Sequence, residues 1–228
     1  MRPRRETSGA KPGTEELILK TAERLFALHG VEAVSLRQIA SEAGSSNNFL
    51  VQYHFANKAG LLRAIFERRL LSIEARRAQL LAEATRSGRL HDARALIEIL
   101  LLPPAEVKDE DGRHIYAAFL IGMRHFEGAY MPTPDEEELA PVRRHVSDLL
   151  TVALPEIPEA LLRSRVIGAS TMFLNAFVER DRLGGQGKRP LLDERALIRE
   201  QLDVATAAIL APVAEEVLAS LSAGQPRA

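Results

Sequence analysis

Apolar residues recur at three- and four-residue spacing along most of the chain, the signature of amphipathic helices. Leu17, Ile18, Ala22, Leu25, Phe26 and Leu28 form one stripe between Thr14, a capping residue, and Gly30, a stop, which predicts a helix to His29. After the connection from Val31 to Val34, with Val34 as a hydrophobic staple, Ser35 and Gln38 stand in the spacing of a reciprocal capping box. Leu36, Ile39, Ala40 and Ala43 then share a face, and Gly44 supplies a left-handed end. Ser45 and Ser46 can cap a second short helix whose first turn is Asn47, Asn48 and Phe49. Asn57 caps a long helix from Lys58 to about Thr85, with Leu61, Leu62, Ile65, Phe66, Leu70, Ile73, Leu80 and Leu81 on its apolar side.

Beyond Leu90 the helical stretches alternate with Pro and Gly breaks, and none has the two-residue period of a strand. One helix spans Asp92 to Leu102, stopped by Pro103 and Pro104, and another Arg113 to Phe126. A third starts near Pro134 with Asp135 to Glu138 at its positive end and closes near Leu154. Pro158 to Leu183 is long, and Asp193 to about Leu221 is long with a kink near Pro212. The loop Gly184 to Pro190 lacks the glycine spacing of a phosphate loop. The pattern predicts an all-α fold: a basic arm at 1–13, a three-helix head at 14–57, a helical body at 58–222 entered through the long helix, and a tail at 223–228.

A short helix, a glycine turn and a short polar helix make a helix-turn-helix, whose second helix enters the major groove N-terminus first. Polar residues at a helix start are more often solvated caps than readers; what reverses that weighting here is the family resemblance carried by the residues that follow. Asn47, Asn48 and Gln52 carry amides that match base edges, and Phe49 can touch a thymine methyl, so these four are the expected base contacts. Arg37, Ser46, Tyr53, His54 and Lys58 are the expected phosphate contacts, Lys58 adding its charge to a helix N-terminus.

Tyr53, His54, Phe55, Lys58 and Leu61 make this stretch resemble the TetR family of transcriptional regulators, in which a Tyr-His-Phe element closes the recognition helix and a nearby Lys opens a long helix. The resemblance is close from Thr14 to about Arg69, although Gly44 to Phe55 is one residue longer than the commonest family spacing. It implies a dimeric, ligand-responsive DNA-binding regulator, more often a repressor, whose near-palindromic operator is released when a small molecule occupies the body. Tyr116, Phe119, Leu120, Met123 and Phe126 on one helix, with Met172, Phe173 and Asn175 on another, are the expected pocket for a hydrophobic or amphipathic effector. For each of them taken singly, plain core is the commoner role.

The helices at 158–183 and 193–221 carry more small and apolar surface than one body can bury, which points to a two-fold dimer built as a four-helix bundle. Net charge is −1, but residues 1–77 hold 13 Lys/Arg against 8 Asp/Glu, a net +5 that leaves the remainder at −6. A basic head suits phosphate. The absence of cysteine rules out disulfides and thiolate chemistry and suits a cytoplasmic protein. No apolar run approaches the ~20 residues of a membrane helix. No metal or cofactor motif occurs, and His114 and His125 are spaced as isolated imidazoles. A helical dimeric adaptor, or a small all-α enzyme, is the competing reading; neither accounts for residues 35–62.

Overall fold

The computed structural model describes residues 13–45, 47, 49–123 and 139–223. Among them every regular element is an α-helix, and they fall into two compact units, 13–71 with 118–123 and 72–117 with 139–223. The long helix α4, Lys58–Arg86, is continuous through the first boundary, so its opening turns belong with the head.

In the first unit α1 is Thr14–His29, α2 Leu36–Glu42 and α3 Leu50–Phe55. Thr14 is the first helical residue rather than the cap; Gly13 precedes it and offers no side chain. Gly30, at φ 81, ends the helix as expected, its N–H donating to Phe26 O at 2.9 Å. Ile18, Leu19, Ala22, Leu25 and Phe26 are buried, but Leu17 and Leu28 are exposed. Eleven residues is about three turns, so those two share a flank just outside the stripe. Glu23 is a different exception, a carboxylate only 2% exposed. Arg68 Nη1 reaches it at 3.1 Å and Arg69 Nη2 at 2.7 Å, while Arg68 also donates to Glu16 at 2.8 Å. This ion cluster ties α1 to α4.

The second unit centres on α5, Ala93–Ala105, which packs on α7 (Pro141–Ala153), α8 (Glu159–Gly185) and α9 (Glu194–Leu210). Asp92 caps α5 as expected, but the helix runs through Pro103 and Pro104 instead of stopping. Pro104 cannot donate to Leu100 O, and Arg77 Nη2 from α4 donates there at 3.2 Å. The guanidinium replaces the lost backbone donor. Arg77 in turn pairs with Glu74 at 2.8 Å, and Glu74 Oε2 accepts from the N–H groups of Val142 and Arg143 at 2.8 and 3.3 Å. A carboxylate from α4 thus caps α7, whose own preceding residue, Ala140, cannot. Burial pulls Arg77 below the usual arginine range, and the hydrogen bond that it donates to Glu74 opposes it.

The helix α6, Ile115–Met123, is shorter than expected at its start, and residues 124–126 lie outside the described set, as do Asp135 to Glu138. The last long helix divides into α9 and α10, Glu215–Ala223, bent by 67° around Ala211 and Pro212. Arg165 of α8 donates to Ile209 O and Ala211 O at 2.8 and 2.5 Å, collecting carbonyls that the break leaves without helical partners. Among the described residues no single helix is long and apolar enough to cross a membrane.

Candidate nucleic-acid interface

The first half of the motif is held as its sequence suggests. Ser35 Oγ accepts the Gln38 N–H at 3.1 Å, which starts α2, and Ile39 and Ala40 are buried. The reciprocal half of the capping box is absent, because Gln38 Nε2 donates to Glu42 Oε1 at 3.3 Å. Glu42 is clasped from α1 by Arg24 at 2.6 Å, and that hydrogen bond holds its carboxyl below the usual range. Gly44, at φ 77, closes the helix with its N–H on Ser41 O, while the Ser45 N–H reaches back to Ala40 O at 3.0 Å.

The recognition helix begins later than expected. Asn47 and Phe49 precede α3 rather than filling its first turn, and Ser46 and Asn48 lie outside the described residues. The cause is local: Ser45 Oγ accepts the Asn47 N–H at 3.0 Å, and Asn47 Oδ1 accepts the Phe49 N–H at 3.0 Å. Short polar side chains have bound the backbone in turns before the helix could form. Helix α3 is therefore six residues long, Leu50 to Phe55. Val51 and Phe55, four apart, are buried and fix its rotation. Gln52, Tyr53 and His54 consequently face solvent, Tyr53 84% exposed, with Phe49 72% exposed one turn before Tyr53.

What sets the exit of α3 was not read from the sequence. Ala56 has φ 60 and ψ −51, and the Asn57 N–H donates to Phe55 O at 2.6 Å, a γ-turn with its central residue at positive φ. Asn57 Oδ1 then accepts the Gly60 N–H at 2.8 Å, the cap expected for α4. A Cβ on residue 60 would stand 2.2 Å from Phe55 O, so only glycine lets α4 pass this close. The available signal was an isolated Gly inside a helical pattern.

The expected phosphate contacts divide. Arg37 is exposed and has no hydrogen bond among the described residues. Tyr53 and His54 are exposed with their rings 5.3 Å apart, edge to face. Lys58 is half-buried, and its Nζ donates to Val31 O at 2.9 Å and Glu32 O at 3.4 Å, tying α4 to the connection before α2. Over residues 13–77 the nine Lys/Arg exceed the seven Asp/Glu by two. Arg24, Arg63, Arg68, Arg69, Arg76 and Arg77 all pair with carboxylates, so much of the apparent basic character is internal.

The residues expected to line an effector pocket divide between the two units. Tyr116 and Phe173 are buried core of the second unit, whereas Phe119 and Met123 are core of the first, Phe119 lying 6.4 Å from the Phe26 ring. Leu120 is half-buried, Met172 and Asn175 are exposed on α8, and Phe126 is outside the described residues. A cavity of about 440 Å³ in the second unit includes none of them. His114 is buried, one of the two roles open to an imidazole outside a metal motif, and its backbone N–H and Nδ1 both contact Asp181 Oδ2, at 2.6 and 2.9 Å. Beside it, Lys108 pairs with Glu194 at 2.5 Å; burial pushes that carboxyl up, and Lys108 more than offsets the effect, holding it below the usual range.

Residues 18–65 match the family model described as bacterial regulatory proteins, tetR family. The crystal structure of a TetR family transcriptional regulator, PfmR from Thermus thermophilus, is similar in fold at a TM-score of 0.51 and 18% identity, covering 90% of this chain and 100% of that one. A TetR-family regulator from Streptomyces coelicolor is matched at a TM-score of 0.39 and 20% identity, over 89% and 99% of the two chains. Comparison with curated protein sequences gives no match.

Proposed function

We propose that the chain, whose residues 18–65 match the TetR-family DNA-binding model, is a DNA-binding transcriptional regulator: a homodimeric, cytoplasmic repressor whose grip on a near-palindromic operator is released by a small apolar or amphipathic ligand. The observation that carries the DNA-reading part is the outward ridge of Phe49, Gln52 and Tyr53, held in place by the fully buried Val51 beneath it. Two large aromatic side chains exposed side by side on a rotationally fixed element make the kind of surface that a partner covers, and the amide beside them adds hydrogen-bonding groups.

In this reading Asn47, Asn48, Phe49 and Gln52 meet base edges, Asn47 and Phe49 from the turn before α3. Arg37, Ser46, Tyr53 and His54 meet phosphates. Lys58 acts chiefly by positioning, since a phosphate would have to compete with two carbonyls for its ammonium. Dimerisation uses α8 and α9, whose Ile167, Met172, Val204 and Leu210 remain exposed after the two helices have packed on each other. A ligand that prefers the conformation unable to hold DNA weakens the operator complex by the factor that DNA weakens the ligand.

Selection of the purified protein on a random double-stranded DNA pool tests the reading. A recovered near-palindrome is expected, with half-sites about one helical turn apart or wider. Salt-sensitive retention without any enriched sequence would leave a helical adaptor as the better account.

A further inference from the structure

We propose that the cavity between α8 and α9 is a binding site for a small amphipathic carboxylate, with Arg180 as its anion-binding group. The cavity opens at the loop end of the helix pair and is walled by Ala176 and Leu183 of α8, Pro190 and Leu192 of the connection, and Leu197 of α9. At about 440 Å³ it falls within the range of small-molecule sites. Those walls are apolar, and Arg180 is the one cation among the described residues that line them.

The state of that guanidinium points to a missing anion. Arg180 is 25% exposed, and none of its N–H groups has a hydrogen-bond acceptor among the described residues; Nε is fully buried and unpartnered. Its ion pair with Asp181 spans 3.8 Å, too long for a hydrogen bond, and the Asp181 carboxylate is already occupied by His114. A buried Nε–H with no acceptor is expensive to retain, and a carboxylate offers the paired oxygens that the planar guanidinium fork fits. Two carboxylates also border the cavity. Glu179 is bonded to Arg182 at 2.8 Å and Glu200 is exposed to water, while Glu194, whose charge reaches Arg180, is engaged by Lys108. The complementary ligand has an apolar body filling the leucine-lined space and a single carboxylate at Arg180.

This site rests on the ligand-responsive reading only for its consequence at DNA; binding itself can be measured alone. Titration calorimetry of the full chain with decanoate, 1-decanol and decyltrimethylammonium is the test. Decanoate is expected to bind in proportion to the chain, with the alcohol and the cation weaker. Arg180→Gln should weaken decanoate by about tenfold to a hundredfold, the loss expected of a charge-assisted hydrogen bond, and Arg180→Lys should recover part of it. Ala176→Phe, which fills the cavity and leaves the guanidinium in place, should abolish binding. No decanoate binding, equal binding of the alcohol, preference for the cation, or indifference to both Arg180→Gln and Ala176→Phe would each overturn the site. Decanoate binding that leaves operator affinity unchanged would keep the site and remove its effector role, and failure of DNA selection would not touch the calorimetry.

Discussion

One helix carries two arginine networks, and they are built in different ways. In the head unit only the acid is enclosed: Glu23 is buried while Arg68 and Arg69 are 18% and 21% exposed and can turn to water. In the body unit both partners are buried: Arg77 is 7% and Glu74 11% exposed, with a proline-orphaned carbonyl in front of the guanidinium. The first network can relax when broken, and the second cannot. An ion pair is therefore valued by what removal leaves behind, and only secondarily by its length.

The largest effect should follow from Arg77→Met, which removes the donor from both Glu74 Oε1 and Leu100 O; denaturant unfolding should show a loss of about 3–5 kcal/mol. Pro104→Ala returns a backbone donor to Leu100 O, so the Arg77 loss should be smaller in that background. Equal losses in both backgrounds would break the account of how α5 survives its prolines. Glu23→Gln should cost less, about 1.5–3 kcal/mol, because its arginines keep access to solvent. If the two substitutions cost the same, the contrast between the networks is wrong.

Next in size is a split between two cations of the head. Arg37→Ala should flatten the dependence of log K on log salt by about one unit. Lys58→Met should lower head stability by about 1 kcal/mol with little change in that slope. A slope change at Lys58 as large as at Arg37 would return Lys58 to the phosphate. The smallest effect is at Glu42, whose folded-state carboxyl is depressed by Arg24. Its stabilisation is present above the ordinary carboxylate pKa and fades as pH falls through the lower folded value. The melting-temperature gap between wild type and Glu42→Gln should thus close as pH falls below the ordinary carboxylate range and through the depressed folded value; a gap that widens would reverse the sign.

These contrasts also mark what the sequence could disclose. Ser35, Gly30, Asn57 and Asp193 act within three or four residues of themselves, and each sits at the helix boundary it predicts. Pro103 and Pro104 mislead because the remedy is Arg77, far away in sequence. The start of α3 misleads for a local reason: Asn47 can cap a helix or fold back on Phe49 N–H, and composition does not choose between them. Pocket residues were least legible. Aromatic and Met side chains at helical spacing serve core and cavity alike, and here those that are buried belong to two different units.

The brevity of α3 limits how much text one head can read. Six helical residues rise about 9 Å, while stacked base pairs advance roughly 3.4 Å each, so the helix itself passes fewer than three of them. So few positions cannot single out a site in a genome. In the proposed dimer the remaining discrimination would come from the turn at Asn47 and Phe49, which lengthens the reading edge at no cost in helix, and from a second head reading the same short word in the opposite sense.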